Sequence, residues 1–96
     1  MALRIFWSKR AETNFEKITA YLQESFGDEV TEKFVKKVYS FLYVLSQNPE
    51  IGKLQQVGNL RGFVIVKQVT IFYEVHDKGI VLLNFFTNLQ NPLKKF

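Results

Sequence analysis

Residues 63–86 read FVIVKQVTIFYEVHDKGIVLLNFF, and this stretch decides the fold of the chain. β-branched and aromatic residues form three runs, 63–66, 69–75 and 80–86, which Lys67-Gln68 and the turn His76-Asp77-Lys78-Gly79 separate. Residues of this kind favour strands, and connections this short join antiparallel neighbours. The stretch therefore predicts a three-stranded antiparallel meander.

The second and third runs differ in the pattern of their side chains. In the second run apolar positions alternate with mixed ones, so that one face is apolar: Val69, Ile71, Tyr73 and Val75 against Thr70, Phe72 and Glu74. The third run is apolar on both faces, which is typical of a central strand that is covered on both sides. Such a strand needs protein against each face.

Two amphipathic helices are predicted before the meander. Their apolar residues recur at the spacing of one helical face, at Ala11, Phe15, Ile18 and Leu22 and then at Val30, Phe34, Val38, Phe41 and Leu45. Ser8 and Asp28 are the expected N-caps. Gly27 ends the first helix, and Pro49 ends the second. The alternating residues 3–7 predict a short strand ahead of the first helix.

Together these elements predict a single α+β domain over residues 1–96, because a chain of 96 residues has room for one core. Its order is β-α-α-β-β-β, with an antiparallel helical hairpin packed on one face of an antiparallel β-sheet. A two-helix hairpin covers only one face of a sheet. The apolar last strand therefore indicates a partner protein on the other face.

The composition limits both the chemistry and the location of the protein. The chain has no cysteine, which excludes disulfides, thiolate metal sites and cysteine nucleophiles. Its apolar N-terminal stretch is interrupted by Arg4, and no run reaches the roughly 20 residues of a membrane span. We expect a cytoplasmic protein with no membrane association, no metal and no cofactor.

The net charge of +4 is concentrated in the second half of the chain. Residues 49–96 hold six Lys or Arg against three Asp or Glu, whereas residues 1–48 hold seven against six. A basic surplus of this size favours an acidic partner, either nucleic acid or an acidic protein segment.

A series of motifs carries a resemblance to a known family. In chain order they are WSKRA at 7–11, ITAYL at 18–22, FG at 26–27, LSQNPEIG at 45–52, Arg61, IFYEV at 71–75 and IVLLN at 80–84. From about Trp7 to Asn91 the chain resembles the RelE/ParE toxin superfamily of bacterial type II toxin–antitoxin pairs. The segment Leu-x-x-Asn-Pro-x-x-Gly and the Tyr-x-Val strand are its most specific parts.

The resemblance implies a growth-inhibiting, plasmid-stabilising toxin that a cognate antitoxin neutralises. In the ParE-like branch the toxin binds a protein target, DNA gyrase. Other members of the superfamily act on the ribosome as messenger RNA endoribonucleases. A third alternative is a degenerate member that binds its antitoxin and poisons nothing.

The residues available for catalysis favour the ParE-like branch. The family nucleases carry a Tyr, His or Arg near the C-terminus, whereas residues 87–93 of this chain read TNLQNPL and cannot exchange a proton near neutral pH. Arg61 is the one candidate catalytic residue, with Lys53 and Lys67 as cationic neighbours, and it suits a structural pairing at the sheet edge equally well. We interpret His76 as a turn residue.

The residues predicted to bind the partner lie in or beside the last two strands. They are Leu83, Phe85, Phe86 and Lys67. The three apolar side chains are expected to be incompletely covered by the domain, and the lysine to attract acidic residues. An antitoxin segment is expected to lie against them as a helix or as an extra strand.

Overall fold

A computed structural model of the protein describes residues 2–87. Its elements, in chain order, are β1 Ile5–Trp7, α1 Lys9–Phe26, α2 Asp28–Gln47, β2 Lys53–Leu54, β3 Leu60–Val66, β4 Val69–His76 and β5 Gly79–Thr87. The predicted helices and the predicted meander are confirmed, and β2 is an additional short strand. Neither helix is long and apolar enough to cross a membrane. The C-terminal residues from 88 onward, including most of the segment considered for catalysis, lie outside the described residues.

Helix α1 begins and ends where the sequence predicts. The Ser8 hydroxyl accepts a hydrogen bond from the backbone N–H of Ala11 at 3.0 Å and donates one to the carbonyl of Leu83. Gly27 has φ of 87°, the left-handed region that favours glycine, and its N–H bonds to the carbonyls of Leu22 and Gln23. The cap residue therefore also ties the start of α1 to the sheet.

Helix α2 follows α1 with a single intervening residue. Gly27 serves as the N-cap of α2 as well as the C-cap of α1, and it offers no side-chain bond. Asp28 is the first helical residue, so the prediction that it is the N-cap is wrong by one position. Asp28 and Glu29 still lie in the first turn, where the helix dipole favours negative charge.

The five strands form one mixed sheet in the order β1-β5-β4-β3-β2. The pairs β2–β3, β3–β4 and β4–β5 are antiparallel as predicted, whereas β1 runs parallel to β5. The fully antiparallel sheet of the prediction is corrected at this one pair. The helical hairpin connects β1 to the rest of the sheet, and a connection of that length allows a parallel neighbour.

The core lies between the helical hairpin and one face of the sheet. Buried side chains from both layers meet there, among them Ile18, Leu22, Phe34, Val38, Phe41, Leu45, Ile71, Tyr73, Ile80, Leu82 and Phe85. The rings of Phe41 on α2 and Phe63 on β3 stack with centroids 4.2 Å apart. This arrangement confirms the helical hairpin on one face of the sheet and leaves the other face to be described.

Candidate functional site

Arg61 lies on the helix-facing side of β3, directly opposite the buried residue Tyr73 on β4. Its Nη1 donates to the carbonyl of Gly52 at 2.8 Å and to the carbonyl of Glu50 at 3.2 Å. Both acceptors belong to the turn that follows α2. The geometry therefore favours the structural interpretation of Arg61, since its guanidinium secures a turn of the backbone.

Tyr73 binds the same turn from the core. Its hydroxyl donates to the carbonyl of Pro49 at 2.9 Å and accepts the N–H of Gly52 at 2.7 Å. Burial raises the pKa of Tyr73 above its ordinary value of 10.0, although the bond from Gly52 and the nearby Arg61 charge act in the opposite direction. The phenol is neutral at pH 7 and available as a donor.

Glycine is required at position 52 by the approach of this hydroxyl. A Cβ there would lie 2.6 Å from the Tyr73 oxygen, closer than Cβ atoms come to other atoms in proteins. Pro49, Gly52, Arg61 and Tyr73 thus form one unit that fixes the turn, which we call the turn clamp. The glycine of the Leu-x-x-Asn-Pro-x-x-Gly segment and the tyrosine of the Tyr-x-Val strand thus have structural roles in this clamp.

The two lysines expected beside Arg61 lie away from it. Lys53 pairs with Gly62, so its side chain is on the opposite face of the sheet from Arg61. Lys67 lies in the turn after β3, six residues from Arg61 and about 20 Å along the strand. The three cations do not form one cluster, so they cannot together stabilise a single phosphate.

His76 is the last residue of β4 and is exposed. Its Nε2 lies 3.1 Å from Oε1 of Glu74, two residues earlier on the same face of the strand. The tight turn itself consists of Asp77 and Lys78. In residues 2–87 no Lys or Arg forms an ion pair with Glu74, and the adjoining turn carries Asp77 and Lys78.

The face of the sheet opposite the helices is largely apolar and, in residues 2–87, no element packs over it. Phe6, Val64 and Phe86 on this face expose 41%, 58% and 56% of their surface. Phe72 lies between them, over Gly62, and its ring meets that of Phe86 edge to face at 6.3 Å. We call this surface, formed by Phe6, Val64, Phe72 and Phe86, the open sheet face.

Only part of the predicted partner-binding set lies on the surface. Phe86 is on the open sheet face, Lys67 is exposed beyond the end of β3, and Leu83 is half-buried at an irregularity in β5. Phe85 is 1% exposed and stacks on Trp7 with ring centroids 5.3 Å apart. The prediction that Phe85 is a surface residue is therefore corrected, since it belongs to the core.

A β-bulge places Phe85 in the core and Phe86 on the open sheet face. Phe72 pairs with Asn84 and Tyr73 pairs with Leu82, which leaves Leu83 as an extra residue in β5. One extra residue turns every later side chain to the other face. Phe6, Val64 and Phe72 were missed as surface residues. Their signal is an apolar residue at the outward position of a strand.

Comparison with known proteins agrees with this architecture. The chain superposes on the chromosomal ParDE toxin–antitoxin system from P. aeruginosa with a TM-score of 0.77 and 18% identity, covering 90% of this chain and 96% of that one. It is also similar to the YoeB dimer from Staphylococcus aureus (TM-score 0.65, 21% identity, covering 92% and 99%). A third match is the E. coli DinJ-YafQ toxin–antitoxin complex (TM-score 0.63, 12% identity, covering 94% and 97%).

The fold is thus the α+β scaffold of type II toxin–antitoxin toxins. A family model described as the ParE toxin of the type II toxin–antitoxin system parDE matches residues 5–92. The chain belongs to this ParE toxin family, and it is a toxin of the type II class. No curated protein sequence matches the chain.

Proposed function

We propose that this toxin acts by binding a protein target, DNA gyrase in the ParE-like branch, and that a cognate antitoxin neutralises it. The observation that carries the proposal is the engagement of Arg61 by the backbone carbonyls of Glu50 and Gly52. Cleavage of RNA through the 2′-hydroxyl requires a base, an acid for the leaving oxygen and cations for the developing charge. Within residues 2–87 the candidates Arg61, Lys53, Lys67 and His76 lie apart from one another, so they do not supply all three at one place.

The open sheet face is suited to binding the antitoxin. Its exposed phenylalanines offer apolar surface, and Lys53 on the same face together with Lys67 nearby adds positive charge. An antitoxin segment with apolar residues and carboxylates would be complementary to this combination. An interface of ordinary size would bury about 1,200 to 2,000 Å² in total. Phe86 and Lys67 are the predicted partner-binding residues that support this surface, whereas Leu83 is the half-buried extra residue of the bulge.

An endoribonuclease is the second candidate, and the Glu74–His76 pair is the observation that favours it. A carboxylate that holds an imidazole can orient it as a general base. The proposed base lies on an exposed strand end, beside the turn that contains Lys78. If the toxin is a ribonuclease of this kind, His76→Ala must abolish cleavage.

The experiment compares purified toxin in two assays, gyrase supercoiling and cleavage of messenger RNA on translating ribosomes, each with the cognate antitoxin as control. Antitoxin-reversible inhibition of gyrase with intact messenger RNA is expected. Cleavage by wild type that is lost in His76→Ala or Arg61→Ala would replace the proposal by the ribonuclease. Antitoxin binding without effect in either assay would identify a degenerate toxin.

A further inference from the structure

A groove on the helical side of the molecule combines aromatic walls with carboxylates. It lies where the end of β1 meets α1 and α2, and its lining consists of Trp7, Glu12, Phe15, Glu16 and Tyr39. No turn, cap or core contact described above uses the two carboxylates or Tyr39. We call it the aromatic groove.

The aromatic residues of the groove form one continuous cluster that reaches the surface. The ring of Phe15 meets that of Trp7 at 5.3 Å and that of Tyr39 at 6.4 Å, edge to face in both cases. Trp7 and Tyr39 are also 6.4 Å apart. The ring of Trp7 stacks on the buried Phe85, whereas Tyr39 is 54% exposed. The groove therefore has a rigid wall that is anchored in the core and open to solvent.

The two carboxylates lie on one side of this wall. Glu12 and Glu16 are one helical turn apart on α1, both exposed, and neither forms an ion pair with any residue in the range 2–87. Like charges at this spacing destabilise a helix. Glu12 is in the first turn of α1, where the helix dipole compensates its charge, but Glu16 has no such compensation. Among residues 2–87 no cation pairs with either carboxylate.

We propose that the aromatic groove binds an arginine side chain of a partner protein. A guanidinium stacks on aromatic faces and donates hydrogen bonds to carboxylates, so it satisfies both halves of the lining at once. Nucleic acid is unsuited to this groove, because its phosphates would meet Glu12 and Glu16. The proposal depends on the proposed function only in that the partner is a protein.

The groove and the open sheet face differ in charge, because the groove has two carboxylates whereas the open sheet face has Lys53 on β2 and Glu74 on β4. Lys53 lies on the open sheet face and attracts acidic residues, whereas Glu12 and Glu16 attract a basic one on the helical side. A segment that contacts both surfaces would need an acidic and a basic part. Such a pattern would fix the direction in which the segment runs across the toxin.

The test uses Nα-acetyl-arginine methylamide as the probe and Nα-acetyl-citrulline methylamide, its neutral isostere, as the control ligand. Trp7 is the only tryptophan of the chain, so its fluorescence and its indole N–H resonance report on the groove directly. Titrations are run at constant ionic strength on wild type and on the double variant Glu12→Gln/Glu16→Gln. Glu24→Gln, an exposed change on the same helix, is the matched control.

We expect saturable binding of the arginine probe with Kd on the order of 10 mM, as for a single charged side chain in a partly exposed site. Binding should weaken at least about fivefold in the double variant and remain unchanged in Glu24→Gln. Tyr39→Leu should weaken it as well, because the cation loses an aromatic face.

Three results would overturn the proposal. The first is an equal response to the citrulline control, and the second is unchanged binding in the double variant when circular dichroism shows it folded. The third is concentration-dependent dimerisation of the wild type that the double variant abolishes, because the cation would then come from a second copy of this chain. None of these measurements requires antitoxin or gyrase, so they fail or succeed independently of the proposed function.

Discussion

Replacing Tyr73 by Phe removes the buried hydroxyl from the turn clamp and leaves the aromatic ring in the core. The hydroxyl makes two hydrogen bonds, to the carbonyl of Pro49 at 2.9 Å and from the N–H of Gly52 at 2.7 Å. A typical bond contributes about 1 kcal/mol net, and a buried donor left without an acceptor costs about 1 to 3 kcal/mol. Because Gly52 is buried, we expect Tyr73→Phe to lower the free energy of unfolding by about 2 to 3 kcal/mol.

Urea unfolding followed by circular dichroism measures this change. In a domain of this size the same loss lowers Tm by roughly 10 to 20 °C. Tyr43→Phe is the matched control, since Tyr43 is 69% exposed and should change the free energy of unfolding by less than about 0.5 kcal/mol. A loss below about 0.5 kcal/mol for Tyr73→Phe would refute the turn clamp as a source of stability.

The same variant makes a prediction about pH. Burial raises the pKa of Tyr73 in the folded state above the ordinary 10.0, so the folded protein holds this proton more tightly than the unfolded chain. The stability that this preference contributes is complete below about pH 10 and is lost as the pH rises through the folded-state value. Wild type should therefore lose more stability than Tyr73→Phe between neutral and strongly alkaline pH, and parallel losses would contradict the assignment.

The remaining predictions concern the core, the turn and the open sheet face. Phe41→Ala should lower the free energy of unfolding by about 3 to 5 kcal/mol, and a loss below about 1 kcal/mol would show that Phe41 is not core. Gly52→Ala should cost about 1 to 3 kcal/mol, because its Cβ would overlap the Tyr73 hydroxyl, and urea unfolding at wild-type stability would contradict that contact. Phe86→Asp should lower the free energy of unfolding by about 1 to 2 kcal/mol, because it removes the ring contact with Phe72 and Asp disfavours a strand, yet the folded variant should bind antitoxin at least tenfold more weakly in calorimetry. Undiminished binding would show that the antitoxin binds another surface of the toxin.

The helices and the meander could be predicted because an element buried on one face has apolar residues at regular intervals in the sequence. Ala11, Ile18 and Leu22 repeat at the helical period, and Val69, Ile71 and Tyr73 repeat at the strand period. These residues are buried, as their spacing predicts. Strand β2 could not be predicted in this way, because its two residues, Lys53-Leu54, are too few to show alternation.

The bulge in β5 limited the prediction of the partner-binding residues. A run that is apolar at nearly every position gives no indication of which residue is the extra one, so the inward and outward assignments after Leu83 could not be read from it. Phe85 and Phe86 were consequently both assigned to the partner surface, although only Phe86 lies there. Residues before the bulge, such as Ile80 and Leu82, keep the inward position that simple alternation assigns.

The candidate sites depended on contacts for which sequence carries no signal. Arg61 binds backbone carbonyls, and every residue has a carbonyl, so its acceptors could not be named in advance. The aromatic groove requires Tyr39 of α2 beside Trp7 of β1, a neighbourhood that the packing of the hairpin creates. The Pro49 and Gly52 motif was visible in the sequence, but the Tyr73 hydroxyl that requires glycine at position 52 was not.

Titration of purified toxin into a gyrase supercoiling reaction tests the proposed function most directly. We expect dose-dependent loss of supercoiling that stoichiometric antitoxin reverses, and Arg61→Ala should retain inhibition wherever it remains folded. Full supercoiling at saturating, folded toxin, together with cleavage of ribosome-bound messenger RNA by the same preparation, would contradict it.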